Sequence, residues 1–264
     1  MNMKTSSTSL LVILLLCAMA ALPWAVHAAT QEKEPNKEVV NPVQDNKKKE
    51  AQEEKKEDSK EVDATKSTKE EAAEEKKKKE NVTSLFDGKS LAGWEIIEFG
   101  GEGEIELVDG VIRMHAGDPL TGICVAEGTE LPKANYEVSL EAMKTDGSDF
   151  FCAITFPVND TFCTMVVGGW GGTLVGLSSL DDRDASENST RVNKKFAKNQ
   201  WYTVRIQVLP ERIMGWIDDE KLIDESIVDR KVGIRNDVRM TTPLGITSFI
   251  TASSLRHIKI KKLD

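Results

Sequence analysis

Histidine is almost missing from this chain, with three in 264 residues. One of them, His27, lies in an N-terminal apolar stretch, which leaves His115 and His257. Neither sits beside a serine or cysteine in a nucleophile-elbow context, and no H-x-x-x-H or C-x-x-C spacing occurs. The ligand spacings of the common zinc sites are therefore missing, and nothing in the residue order points to a Ser-His-Asp triad. Long apolar runs are missing too. Residues 10–16 are apolar and small residues follow to Ala21, but Pro23 then interrupts, short of the ~20 residues a membrane-spanning helix needs. No stretch carries a long helical period. Glycines cluster at 168–172, yet no Lys-Ser/Thr follows as in a phosphate-binding loop, and the spacing is not that of a dinucleotide fold.

What is present divides the chain in three. Lys4, the apolar run and the small-residue pattern Val26-His-Ala28 read as a signal peptide over residues 1–28. The expected product is exported, secreted or periplasmic, with no membrane span after cleavage. Residues 29–82 are nearly all Lys, Glu, Asp, Ala, Gln and Thr, with about 14 lysines against 16 acids and almost nothing to bury, so a disordered charged linker is expected. Residues 83–264 hold the foldable sequence, with about 28 acids against 20 bases. That acidic balance argues against a nucleic-acid partner. It says nothing of oligomeric state.

Of four cysteines, Cys17 leaves with the signal. Cys124, between Ile123 and Val125, reads as a small buried hydrophobe. Cys152 and Cys163 flank the turn-like Pro157-Val-Asn-Asp160, and a hairpin closed by a two- or four-residue loop is expected to set them opposite each other as a disulfide.

The folded part reads as β throughout. Residues 104–108 and 111–114 alternate around Asp109-Gly110, a hairpin signal. Further strands are expected at 136–142, 150–156, 161–167, 174–177, 201–208, 212–217, 244–250 and 255–263. The spacing predicts about ten to thirteen strands in a two-sheet sandwich or barrel. A short helix is expected only within 183–199. Trp201, Val204, Ile206 and Val208 are expected in the core, and Trp216 with them. Arg205, on the opposite face from Val204, points either into a groove or into a surface salt bridge.

Two strings carry candidate chemistry. In Val167-Gly-Gly-Trp-Gly-Gly-Thr173, four glycines remove side chains around Trp170. The indole can then face an opening as a stacking platform for a sugar ring, or pack inward in a bulged strand pair. The acidic run that follows carries Asp181, Asp182, Asp184 and Glu187 on an expected loop. Such carboxylates can split into acid and base roles, bind a structural calcium ion in an irregular site, or form a solvated acidic loop. No other metal and no organic cofactor is implied.

The run Ser84-Leu-Phe-Asp-Gly-Lys-Ser-Leu-Ala-Gly-Trp94, in which Phe86 and Trp94 are anchors around turn glycines, is followed downstream by Asn199-Gln-Trp-Tyr202, Met214-Gly-Trp-Ile217 and Leu255-Arg-His-Ile258. In that order these segments resemble the 3-keto-disaccharide hydrolase domain family, also described as 3-keto-glucoside lyase/hydratase domains. The resemblance implies an all-β, concanavalin-like two-sheet antiparallel β-sandwich (jelly roll), acting on a carbohydrate or oxidised disaccharide. It also places Asp149, before a strand that faces the ligand groove, as the expected base. Asp181 or Asp184 is then the expected acid, with Trp170, Glu187 and Arg205 as substrate contacts. One departure stands out. Where the family's central strand carries Glu-x-Gln-x-x-Asp, residues 164–170 read Thr-Met-Val-Val-Gly-Gly-Trp, without a carboxylate. A non-catalytic glycan-binding module, or an interaction module of the cell envelope, is the alternative on the same fold.

Overall fold

A computed structural model describes residues 81–264; the expected signal peptide and nearly all of the expected charged linker lie outside the described residues. Fifteen strands follow one another with little helix between them: β1 (Val82–Ser84), β2 (Trp94–Ile96), β3 (Ile105–Val108), β4 (Val111–Met114), β5 (Leu120–Val125), β6 (Tyr136–Gly147), β7 (Cys152–Val158), β8 (Thr161–Gly168), β9 (Leu174–Ser178), β10 (Val192–Asn193), β11 (Trp201–Leu209), β12 (Arg212–Ile217), β13 (Glu220–Ser226), β14 (Gly245–Phe249) and β15 (Thr251–Lys262). They form two antiparallel sheets. One runs β13-β12-β11-β6-β15-β4-β3 with β1 added on β15, and the other runs β10-β9-β8-β7-β14-β5-β2. The described residues form an all-β sandwich.

Local chemistry closes the hairpins. Asp109 and Gly110, both at positive φ (52° and 76°), turn β3 into β4, as a two-residue hairpin requires. In β6 burial alternates residue by residue, so Tyr136, Val138, Leu140 and Ala142 enter the core while Glu137, Ser139 and Glu141 face out. Phe86 and Trp94 are buried as anchors, and the Trp94 indole N–H donates to the Leu85 carbonyl at 2.7 Å. The Tyr136 hydroxyl donates to the Pro157 carbonyl of the opposite sheet. Burial pushes that phenol well above its ordinary pKa, so it is held as a neutral donor. Tyr136→Phe leaves the carbonyl buried without its partner, and is expected to cost about 1–2 kcal/mol, read as a shift in the urea midpoint.

Three expectations are corrected. The β7–β8 turn is Asn159-Asp160, which pairs Val158 with Thr161 and so sets Cys152 opposite Val167 and Cys163 opposite Phe156. A disulfide would need the turn two residues earlier. All three described cysteines are free, and burial pushes the Cys152 thiol up and the Cys163 thiol to about 12, so both are inert core hydrophobes. Residues 183–199 hold turns and the short β10 rather than a helix. Trp201 and Trp216 face away from the core, because alternation sends Tyr202, Val204, Ile206 and Val208 inward. Each indole instead lies under a guanidinium, Arg256 over Trp201 and Arg205 over Trp216, both 4.0 Å from the ring centroid.

The second sheet differs from the first. Strands β5, β7 and β9 are buried at every position. Their inner residues pack on the first sheet, and their outer residues lie under two connections, 179–191 and 227–244. That cover creates the site.

Candidate functional site

Alternation puts Ala153 and Thr155 of β7, Thr164 and Val166 of β8, Gly176 and Ser178 of β9 on the outer face, opposite the core residues Ile154, Met165 and Leu177. These side chains are small, so the connections can lie close. Ala185 sits over Gly176, where an added Cβ would come within 3.1 Å of the alanine Cβ. The Asn188 amide donates to the Leu177 carbonyl at 2.7 Å, and Thr190 Oγ1 accepts from the Leu177 N–H at 2.8 Å. The longer connection is strapped to the shorter by paired backbone bonds between Ser179 and Gly233. Its 3-10 turn, Asn236–Thr241, is pinned by Thr241 on Thr155 at 2.6 Å.

A cleft of about 200 Å³ remains between the cover and the sheet. Its floor is Ala153, Thr164, Val166 and Ser178, with Phe150, Phe249 and Leu120 as apolar walls. On one edge stand Asp149 and Trp170. On the other, the strap supplies Arg235, Asp237 and Val238. This is room for about one pyranose ring, with polar groups on an apolar lining, the usual make-up of a small-ligand site.

The Trp170 edge is built by backbone geometry. Between β8 and β9 the chain reverses through Gly168, Trp170, Gly171 and Gly172, all at positive φ (80°, 48°, 87°, 94°), where glycine is at no disadvantage and tryptophan is. Asp149 holds this turn in place. Its Oδ2 accepts the Gly171 N–H at 3.1 Å, and its Oδ1 accepts the Phe150 N–H at 2.8 Å. The result leaves Trp170 44 % exposed at the cleft.

The remaining candidates are placed as follows. Asp181 accepts from the Lys231 N–H at 2.9 Å and pairs with Arg230 at 2.6 Å, and these hold its carboxyl below the ordinary aspartate range. Asp182 pairs with Lys231 at 2.7 Å. Asp184 accepts from the Ser186 N–H and hydroxyl and meets Arg235 at 3.3 Å. The acidic loop thus zips the two connections together, and neither Asp181 nor Asp184 lines the cleft. Glu187 is exposed and does not line it either. Among the described residues no group of three or more His, Cys, Asp or Glu is gathered as a metal ion would require. Arg205 lies on the outer face of the other sheet, paired with Glu137 at 3.1 Å.

The structure therefore brings Asp149 and Trp170 together and adds residues that the sequence reading passed over: Arg235, Asp237, Thr164 and Ser178. Arg235 Nε bonds both Asp237 oxygens at 3.2 Å, and that carboxylate, first of all, pushes the guanidinium further up. A signal for Arg235 and Asp237 existed. The stretch 227–244 is long, charged and without strand alternation, and a long connection on a β scaffold commonly carries function.

Comparison with known proteins bears on the same region. Residues 81–261 match the profile of the 3-keto-alpha-glucoside-1,2-lyase-like domain family. No curated protein matches the chain. Among solved structures, a protein assigned as a glycosyl hydrolase from Parabacteroides distasonis aligns at 15 % identity and TM-score 0.44, over 72 % of this chain and 97 % of its own. The carbohydrate binding module CBM66 of Bacillus subtilis aligns at 11 % and 0.44, over 64 % and 96 %. The Crh5 transglycosylase bound to NAG aligns at 12 % and 0.47, over 69 % and 84 %. These likenesses concern the fold and assign no residue a role.

Proposed function

Since the chain belongs to the 3-keto-alpha-glucoside-1,2-lyase-like family, and is thereby a carbohydrate-active, glycosyl-hydrolase-like protein, we propose that its cleft cleaves 3-keto-glycosides. We further propose that it does so after export through the 1–28 signal. The observation that carries the reading is the joint placement of Trp170 and Asp149. The residue that would take a proton also fixes the turn that presents the stacking ring.

A 3-keto group acidifies the proton on C2. Abstraction of that proton by a carboxylate gives an enolate. Its electron pair then forms the C1–C2 double bond as the C1–O bond breaks, and the departing oxygen takes up the proton that the carboxylic acid gives back, directly or through water. Addition of water to the resulting enone completes net hydrolysis. In this cleft Asp149 is the proposed base, and the Arg235 N–H groups face the developing enolate oxygen. The departing oxygen leaves on the side of Asp237.

Product analysis of the full chain with methyl 3-keto-glucoside and 3-keto-trehalose tests this. Asp149→Asn is expected to lose at least a hundredfold in turnover, because an amide cannot take the C2 proton and has only one oxygen for two N–H donors. Asp181→Asn, outside the cleft, is expected to keep turnover within about threefold. Equal losses in the two would sink the assignment. A second reading has its own support: both cleft acids are engaged, Asp149 by two backbone N–H groups and Asp237 by Arg235. That suits a glycan-binding module. Saturable binding without product, lost in Trp170→Ala, would establish it.

A further inference from the structure

Three hydroxyl side chains form a row whose last two members, Thr164 and Ser178, lie in the cleft floor. Thr155 is in register with Thr164, and Thr164 with Ser178, on three neighbouring strands and one face. The row begins at the strap. Thr241 Oγ1 lies 2.6 Å from the Val238 carbonyl and 2.6 Å from Thr155 Oγ1, which lies 2.9 Å from Thr164 Oγ1. The Thr241 hydroxyl is placed to donate to both the Val238 carbonyl and Thr155, and the Thr155–Thr164 pair can be satisfied in either direction.

At Ser178 the row breaks off. This serine is 2 % exposed, lines the cleft, and its Oγ has no hydrogen-bond partner. Four buried hydroxyls among the described residues are orphaned in this way, and Ser178 is the one that lines the cleft. Neighbouring strands stand about 4.8 Å apart, a gap that one oxygen bridges with a bond to each side. Buried hydroxyls are rarely left unpaired unless something else completes them.

We propose that Thr164 and Ser178 read one hydroxyl group of the ligand, with Ser178 donating to its oxygen and Thr164 meeting it from the neighbouring strand. The reading rests on the sugar-binding function proposed above and specifies it.

Calorimetric titration of the full chain with methyl 3-keto-glucoside and its 2-, 4- and 6-deoxy analogues tests the pair. Wild type is expected to bind one deoxy analogue on the order of tenfold more weakly than the parent. Ser178→Ala and Thr164→Val are each expected to bind the parent about tenfold more weakly, yet to bind that one analogue as wild type does. Ser178→Ala removes an oxygen with no partner in the free protein, so its melting temperature is expected to hold or rise. A serine with only a structural role would lower the melting temperature and leave ligand discrimination unchanged. Thr164→Ser, which keeps the hydroxyl, is expected to retain the wild-type pattern. Variants that weaken all analogues equally, or none, overturn the hydroxyl reading while sugar binding stands. Wild type that binds none of the four overturns the proposed function and this inference with it.

Discussion

Phe151→Ala is expected to remove about 3–5 kcal/mol of stability, the range for truncating a large aromatic side chain in a packed core. Phe151 is fully buried. Its ring meets Phe196 edge-on at 5.1 Å between centroids and Tyr202 at 6.2 Å, while Phe196 and Tyr202 cross at 5.0 Å and 83°. Tyr202 also accepts the Ala197 N–H at 2.8 Å on its hydroxyl, so the cluster cannot collapse into the vacated space without breaking that bond. Against a typical domain stability of roughly 5–15 kcal/mol, the loss is a large part of the total. Urea unfolding should show it as a lower midpoint with an unchanged slope. The effect reaches the site as well. An alanine Cβ at Gly168 would lie 3.0 Å from the Phe151 ring, so that ring supports the first residue of the turn carrying Trp170. Trp170→Ala, at an exposed position, is by contrast expected to leave the urea midpoint nearly unchanged. A Phe151→Ala midpoint close to wild type would mean that the aromatic cluster is not part of the cooperative core.

Much of the architecture was legible in the residue order, for a physical reason. A sandwich strand with one wet face must alternate, and 136–142 and 201–208 do, so both were found and their buried faces follow. The second sheet is, in β5, β7 and β9, buried on both faces. Its strands read as continuous apolar runs that alternation does not resolve, and β5 escaped notice although Ile123, Cys124 and Val125 drew attention singly. Turn position was the other weak point. Moving the β7–β8 turn by two residues separates Cys152 from Cys163 entirely, and two neighbouring dipeptides compete for that turn. For the site, the Gly-Trp-Gly string was informative because positive φ has few tolerant residues. The partners of the acidic loop were not legible, since Asp181, Asp182 and Asp184 pair with Arg230, Lys231 and Arg235, about fifty residues away. Thr164 and Ser178 had no local signal at all. Their meaning lies in cross-strand register, which appears only when three strands are laid side by side.

Gly245→Ala is expected to separate folding from function. Gly245 lies in β14 between Thr155 and Cys124, on the outer face, beneath the strap. A Cβ there would stand 2.6 Å from the Thr241 carbonyl oxygen, 2.7 Å from Thr241 Cβ and 3.0 Å from the Ile123 carbonyl oxygen. Two of those atoms are backbone, so no side chain can rotate aside, and Thr241 must lift. The inner face of β14, with Ile246 in the core, is untouched. The expected cost in stability is therefore the 1–3 kcal/mol of a local overpacking, less than that of Phe151→Ala. The functional cost is larger in proportion. Lifting Thr241 breaks its bond to Thr155 and draws Arg235, Asp237 and Val238 off the cleft. Turnover or affinity for a 3-keto-glucoside is expected to fall by at least tenfold in a protein that still unfolds cooperatively. Gly122→Ala supplies the control. Its Cβ would meet Thr247 Cγ2 at 2.5 Å and the Ile246 carbonyl oxygen at 2.8 Å, on the same face and at comparable strain, but without touching the strap. If the two variants lose stability alike and only Gly245→Ala loses the ligand, strap closure is what assembles the cleft. If both keep the ligand, the strap is cover for the sheet and the binding groups are those of β7 to β9 and the Trp170 turn.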